Sequence, residues 1–246
     1  MKNVEKADRV HLGSLIDSLK KGHYVIPDFQ RDFEWQPWDV RELIRSIFMD
    51  YYIGTLLLWK GSKENFKMLS CEPIYGYKSN LDAQHIVLDG QQRLTAIHYA
   101  FFAPEIPFPK RSNGVIYLVD IRALLEEDYE NFIRYEFLTK KNKHFLKDKN
   151  AQFKSHTFPL GEMKGGSWGT SDWIKEYRDY WQDKTEAAGE VKEKEAFKLF
   201  IEGAKQFREI IEELLNEFYI SYIELDHEIE VAKVCDIFPQ INSKGV

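Results

Sequence analysis

The chain has 246 residues, 43% hydrophobic and 15% aromatic, enough for a sizeable core and too many for a disordered chain. Its formal net charge of −6 argues against a surface coated in basic residues for non-specific DNA binding, and leaves room only for a local basic patch. Two cysteines, Cys71 and Cys235, exclude a disulfide framework and fit free thiols in a reducing cytoplasm, while no apolar run approaches the roughly 18–20 residues that span a bilayer.

Apolar spacing predicts a short helix over Leu12–Lys21, stopped by Gly22, and then a brief strand at Tyr24–Ile26 ended by Pro27. A second helix starts near Pro37 with Val40, Leu43, Ile44, Ile47 and Phe48 as its buried stripe. Ile53–Trp59 is a strand candidate, and residues 61–83 read as a polar loop without period. A strand and helix follow around Asp89, then a Pro-rich connection, a strand at Val115–Val119, a short helix over 122–130 and a strand at Phe132–Phe137. Residues 139–156 are rich in lysine, and Gly161–Gly169 reads as a flexible connector. Beyond it the pattern is helical, with Trp173, Tyr177, Tyr180 and Trp181 on one face and a long helix near Glu190–Glu217. The Phe stripe of that long helix reads as core or a subunit interface, so an oligomer stays open. A late strand at Tyr219–Leu225 and a last helix at Glu228–Phe238 complete the reading. The expected class is α/β (α+β): a small mixed sheet over 1–138, a connector over 139–169 and a helical subdomain over 170–246.

The most informative stretch is Ile86-Val87-Leu88-Asp89-Gly90-Gln91-Gln92-Arg93-Leu94-Thr95. It reads as a strand turning sharply into a helix N-terminus, where unpaired backbone N–H groups attract anions. Gln91, Gln92 and Arg93 add two amides and a guanidinium that packing does not require. A capping box between Asp89 and Gln92 would explain two of these residues without any ligand. It would not explain Gln91, or a cation placed at the positive end of a helix dipole. A second stretch, Ile26-Pro27-Asp28-Phe29-Gln30-Arg31-Asp32-Phe33-Glu34-Trp35, lies between helices with no period of its own. It is either a loop pinned to the core by aromatics or a partner wall for the same anion, with Gln30 and Arg31 projecting.

Two further groups admit alternative readings. Lysines 140, 141, 143 and 147, interleaved with Phe145 and Phe153, could meet phosphates while the rings stack on bases, or form a solvated charged loop. His144 and His156 stand in that stretch without a nearby Cys or paired carboxylates, which makes a poor metal site.

The segments IPDFQRDFEW and VLDGQQRLTAI, with YYIGTLLLW between them, resemble the N-terminal domain of the GmrSD-type modification-dependent restriction enzymes, within the ParB/sulfiredoxin-like superfamily. The resemblance covers about residues 10–125 and extends more weakly to Ile237–Gly245, similar to the family's closing Phe-x-x-x-Asn-Ser-x-Gly element. It implies a domain that binds and hydrolyses nucleoside triphosphates with Mg²⁺ and regulates cleavage of modified phage DNA. The cleavage itself would belong to a separate C-terminal HNH-type nuclease domain, and no HNH pattern is recognisable here. Carried over, Asp89, Gly90, Gln91, Gln92 and Arg93 would form the phosphate site, with Gln30 and Arg31 beside it and Asn242 and Ser243 as a third edge. Arg93 and Arg31 would neutralise charge, and Gln91 or Gln92 would orient water. Asp89 would hold the metal ion or cap the helix, two tasks that one carboxylate does not perform together. The rival readings are a non-catalytic reader of modified DNA using Lys140, Lys141, Lys143 and Lys147, and a ParB-like nuclease acting through the same corner.

Overall fold

The computed structural model describes residues 5–77, 82–230 and 232–234. Strand β1 (Glu5–His11) leads directly into α1 (Leu12–Lys20), then β2 (Tyr24–Pro27), α2 (Pro37–Phe48) and β3 (Leu56–Lys60). Next come α3 (Lys63–Met68), β4 (Cys71–Pro73), β5 (His85–Asp89) and α4 (Gln91–Phe102). The second half holds β6 (Val115–Asp120), α5 (Ile121–Leu125), β7 (Ile133–Phe137), α6 (Lys149–Lys154) and β8 (Thr157–Pro159). Two long helices, α7 (Gly166–Ala187) and α8 (Val191–Glu217), precede the strand β9 (Tyr219–Leu225).

A six-stranded mixed sheet runs β1-β9-β3-β5-β2-β4, and a three-stranded antiparallel sheet runs β7-β6-β8. In the larger sheet β9 lies parallel to β3, and β5 lies parallel to β2 and antiparallel to β3. The unbroken apolar run of β5 follows from burial on both faces. Val87 faces the main core with Leu56 and Leu58, whereas Ile86 and Leu88 join Val25, Trp59 and Leu225 on the opposite side. Apolar faces of α1, α2, α4, α7 and α8 fill the main core, where Leu12, Ile16, Val40, Leu94, Trp173 and Phe207 are fully buried.

The expected fold class holds, with several differences in detail. β1 was not expected, because Glu5-Lys6-Ala7-Asp8-Arg9 is a polar edge strand whose partner, β9, lies more than 200 residues away in sequence. The stretch 61–83 contains α3, capped by Ser62, whose hydroxyl accepts from Asn65 N–H at 3.1 Å, and β4. β3 starts at Leu56, not at Ile53. The helix expected over 122–130 stops at Leu125, and Glu127 takes a positive φ of 60°. The connector expected over 161–169 is a 3₁₀ turn (Leu160–Gly165) followed by the start of α7, with Met163 fully buried. Sheet pairing crosses residues 139 and 170, since β8 pairs with β6 and β9 pairs with β1 and β3. Of the last helix expected at Glu228–Phe238, residues 228–230 are turn and coil and 232–234 are helical, while residue 231 and everything from Cys235 on, Asn242 and Ser243 included, lie outside the described residues.

Two histidines are buried in this framework. His156 stacks on Trp181 at 5.0 Å and its Nδ1 meets the Tyr177 hydroxyl at 2.7 Å, while His98 on α4 stacks on Phe102 at 5.3 Å. Burial pushes both imidazoles down to about 4, so an unfolded chain binds protons there that the folded chain refuses. Stability gained by keeping the rings neutral is therefore full above about pH 6.5 and is lost as pH falls toward 4. Urea denaturation of His156→Phe should show a flatter pH dependence between 6.5 and 4 than the parent chain. An unchanged slope would contradict this account.

Candidate functional site

β5 ends at Asp89, and the chain turns through Gly90, which takes φ 88° and serves as the N-cap of α4. That left-handed conformation suits glycine, and a Cβ at this position would collide with Leu56 Cδ2. The alternative of a capping box between Asp89 and Gln92 does not hold: Gly90 has no capping side chain, and the Gln92 amide points elsewhere. Asp89 does not cap the helix. The reason is local, since a left-handed glycine occupies the capping position one residue later. The register with β3 also slips between Leu57 and Leu58, where Leu57 faces Asp89 and Leu58 faces Val87. Such irregularities re-aim side chains at the end of a ladder.

Gln92 is buried and its amide is engaged at both its oxygen and its nitrogen. Its Oε1 accepts from Glu34 N–H at 2.9 Å and Trp35 N–H at 3.3 Å, and its Nε2 donates to the Asp32 carbonyl at 2.9 Å. Gln91 Nε2 donates to the Arg31 carbonyl at 2.7 Å. From the other side, Gln30 Nε2 donates to the Val87 carbonyl and, at 3.4 Å, to that of Leu88. Phe33 anchors the same stretch in the core, 5.7 Å from Phe108. Two motifs separated by about sixty residues are thus stitched side by side.

Arg93 turns inward with its side chain only 18% exposed. Nη1 donates to the Ile53 carbonyl at 2.8 Å and Nη2 to the Thr55 carbonyl at 3.0 Å, with Asp89 Oδ2 3.5 Å away. Two carbonyl dipoles and a carboxylate therefore compensate the cation in the first turn of α4. They also explain why β3 begins only at Leu56: the carbonyls before it are held by Arg93. Gly54, at φ 90°, makes room for this clip, since a Cβ there would meet Arg93 Nη1.

Between the two motifs lies a cleft of about 440 Å³. Phe29, Gln30, Arg31 and Trp35 form one wall, and residues 88–93 form the other. The first bond of α4 runs from Leu94 N–H to the Gly90 carbonyl at 3.0 Å. The N–H groups of Gln91, Gln92 and Arg93 have no partner among the described residues, as expected of a first turn. Arg31 contributes a guanidinium 70% exposed, loosely paired with Glu34 at 3.6 Å, and Asp89 a carboxylate 41% exposed. All the expected phosphate-site residues that lie in the described part converge here. Phe29, Trp35 and Leu88 were not expected in the lining. The aromatic content of the 26–35 stretch was the signal for the first two.

The lysines expected to meet DNA lie elsewhere. Lys140, Lys141, Lys143 and Lys147 are all exposed and none lines the cleft; Lys143 pairs with Glu105 at 3.4 Å. Their interleaved aromatics are turned at least partly into the protein. Phe145 packs against Ile116, Leu118 and Leu138, and Phe153 belongs to the main core. Among the described residues no group of three or more His, Cys, Asp or Glu side chains could hold a metal ion by itself, and no helix is long and apolar enough to cross a membrane.

Gln92→Glu should destabilise the fold by about 1–3 kcal/mol in urea denaturation, because the carboxylate cannot donate to the Asp32 carbonyl. Gln91→Glu, at an exposed contact, should cost much less. Equal losses in the two variants would show that the buried amide is not what fixes the cleft wall.

The chain matches the description "GmrSD restriction endonuclease, N-terminal domain" over residues 12–246. It is also 28% identical over 187 residues to an uncharacterized protein of Methanocaldococcus jannaschii, covering 70% of this chain and 32% of the relative. The chain thus spans about a third of the length of the curated relative it matches. With the DGQQR corner at the centre of its largest sheet, the chain belongs to the family of GmrSD restriction endonuclease N-terminal domains.

Proposed function

We propose that this chain is a nucleoside-triphosphate-binding and -hydrolysing regulatory domain of a DNA restriction system. One observation carries the reading: Gln30, Arg31 and residues 89–93 all line one cleft that offers free backbone N–H groups and an exposed guanidinium. Family membership supplies the restriction context.

Phosphoryl transfer to water needs positioned phosphates, compensated charge and an oriented nucleophile. The N–H groups of Gln91, Gln92 and Arg93 would cradle phosphate oxygens at the positive end of α4. Arg31 would close on the phosphates as the mobile cation, giving up its 3.6 Å pairing with Glu34. Arg93 would set the floor of the site by holding Ile53 and Thr55. Gln92 is committed to the segment 32–35, so the water-orienting amide is better assigned to Gln91, whose Oε1 remains open.

Asp89, which does not cap the helix and is 41% exposed beside Arg93, would be the carboxylate that holds Mg²⁺. A lone carboxylate suits this ion, which keeps several waters and takes its other ligands from the substrate phosphates. When bound, the ion would neutralise charge on those phosphates. Asn242 and Ser243 would add the third edge that the family resemblance implies. Modified DNA and a C-terminal HNH-type nuclease remain the proposed partners, and the cytoplasm the proposed location.

The test is phosphate release from the purified chain with each of the four nucleoside triphosphates and Mg²⁺, together with calorimetric binding. Arg31→Ala should weaken nucleotide binding about ten- to a hundredfold, as expected for loss of a charge-assisted contact worth roughly 1.5–3 kcal/mol, with an unchanged melting curve. Asp89→Asn should bind nucleotide but lose turnover. Absence of nucleotide binding by the parent chain would overturn the reading and favour a non-catalytic DNA reader.

A further inference from the structure

The far half of α4 lines a second cavity, of about 510 Å³, that the triphosphate reading does not use. This size lies within the range of small-molecule sites. One wall is aromatic, where His98 stacks on Phe102 at 5.3 Å and meets the Tyr77 ring at 5.8 Å. His98 is almost fully buried, with a relative exposure of 2%. Its Nδ1 lies 3.2 Å from the Tyr75 carbonyl, which can only accept, so Nδ1 carries the proton. Burial holds the ring neutral near pH 7, its pKa pushed down to about 4. Nε2 is then an acceptor lone pair, with no partner among the described residues. On a ring that is otherwise buried and lines the cavity, this lone pair is open to a donor from within it.

The rim has a distinct charge. Lys20, Lys147 and Lys164 line the cavity, and none has an ion pair among the described residues. Of the two lining carboxylates, Glu105 is already matched by Lys143 at 3.4 Å, which leaves Glu162. The mouth is therefore net positive in a chain whose formal charge is −6. An aromatic wall, one unpartnered acceptor on a lining ring and a cationic rim together describe a flat ring with an N–H donor and an attached anion.

We infer that this cavity is a nucleotide subsite, taking a base against the Tyr77–His98–Phe102 wall with an N–H donor on His98 Nε2 and its phosphate on Lys20, Lys147 and Lys164. Such a nucleotide comes either from solution or, as the restriction context favours, from a DNA strand with the base turned out of the stack. The inference rests on the DNA-acting part of the function proposed above and not on triphosphate hydrolysis.

Gly161 offers a clean way to fill the cavity. It lines the wall without a left-handed backbone, and a Cβ there would make only an ordinary 3.8 Å contact with the Phe101 carbonyl oxygen. Fluorescence anisotropy would compare the full chain on a fully paired duplex, the same duplex with one unpaired nucleotide, and deoxynucleoside monophosphates as competitors. At least tenfold tighter binding to the unpaired-nucleotide duplex is expected. Gly161→Leu should abolish this preference, and Lys164→Glu or Lys20→Glu should reduce it about three- to tenfold. Binding of nucleoside triphosphate at the DGQQR cleft should be unchanged in all three variants, which separates failure here from failure there. Tight monophosphate binding without a duplex preference would assign the subsite to free nucleotide. A parent chain indifferent to all three probes would overturn the inference, as would a preference that survives Gly161→Leu. If Gly161→Leu fails to melt cooperatively, the two exposed lysine variants decide the matter: a reduced preference supports the subsite, and an undiminished one overturns it.

Discussion

The cleft exists because one buried side-chain amide, that of Gln92, binds three backbone groups of a segment that has no ladder of its own. Residues 28–36 lie between β2 and α2 without regular structure. Backbone groups near the core must find partners, and an irregular segment cannot supply them from within. Gln92 answers at residues 32, 34 and 35, Gln91 at residue 31, and Gln30 reaches the other way to β5. Phe33 adds burial to the same seam. A wall whose backbone is fixed in this way leaves only the exposed Arg31 side chain to be ordered if a ligand enters, which would lower the entropic cost of binding.

The DGQQR motif thus divides into residues that build and residues that remain open. Gly90 supplies the turn, Gln92 the seam and Arg93 the clip on Ile53 and Thr55. Asp89, the outer face of Gln91 and three N–H groups are what is left for chemistry. This division accounts for a composition that capping alone would not need. α4 also runs from this corner to the aromatic wall at His98 and Phe102, so a single helix of 12 residues borders both cavities.

Much of this was legible in the sequence, and the losses have physical causes. Elements with strong apolar periodicity, such as α1, α2 and α8, fall within a residue or two of their expected limits. So do β5 and β6, whose continuous apolar runs announce double burial. β1 escaped because an edge strand opposite a distant partner needs no hydrophobic alternation, and α3 and β4 because short elements leave no period. The corner at residues 89–93 was legible in outline as a strand turning into a helix N-terminus. Its internal bonding was not, because the partners of Gln92 and Arg93 lie about 60 and 40 residues back in the chain. The Lys-rich stretch shows a different limit: its aromatics have the spacing of a stacking surface, yet Phe153 is buried in the main core and Phe145 is half-buried against Ile116, Leu118 and Leu138.

The position of β9 has a consequence for how the molecule can be made. This strand, among the last of the described residues, is inserted between β1 and β3, not added at an edge. A nascent chain that has not yet emerged past Leu225 must therefore keep β3 with an open flank and β1 with no neighbour in the sheet. Contacts of such long range are slow to form, and exposed strand edges invite pairing with other chains. Synthesis of the first two hundred residues thus precedes closure of the sheet that carries the DGQQR corner.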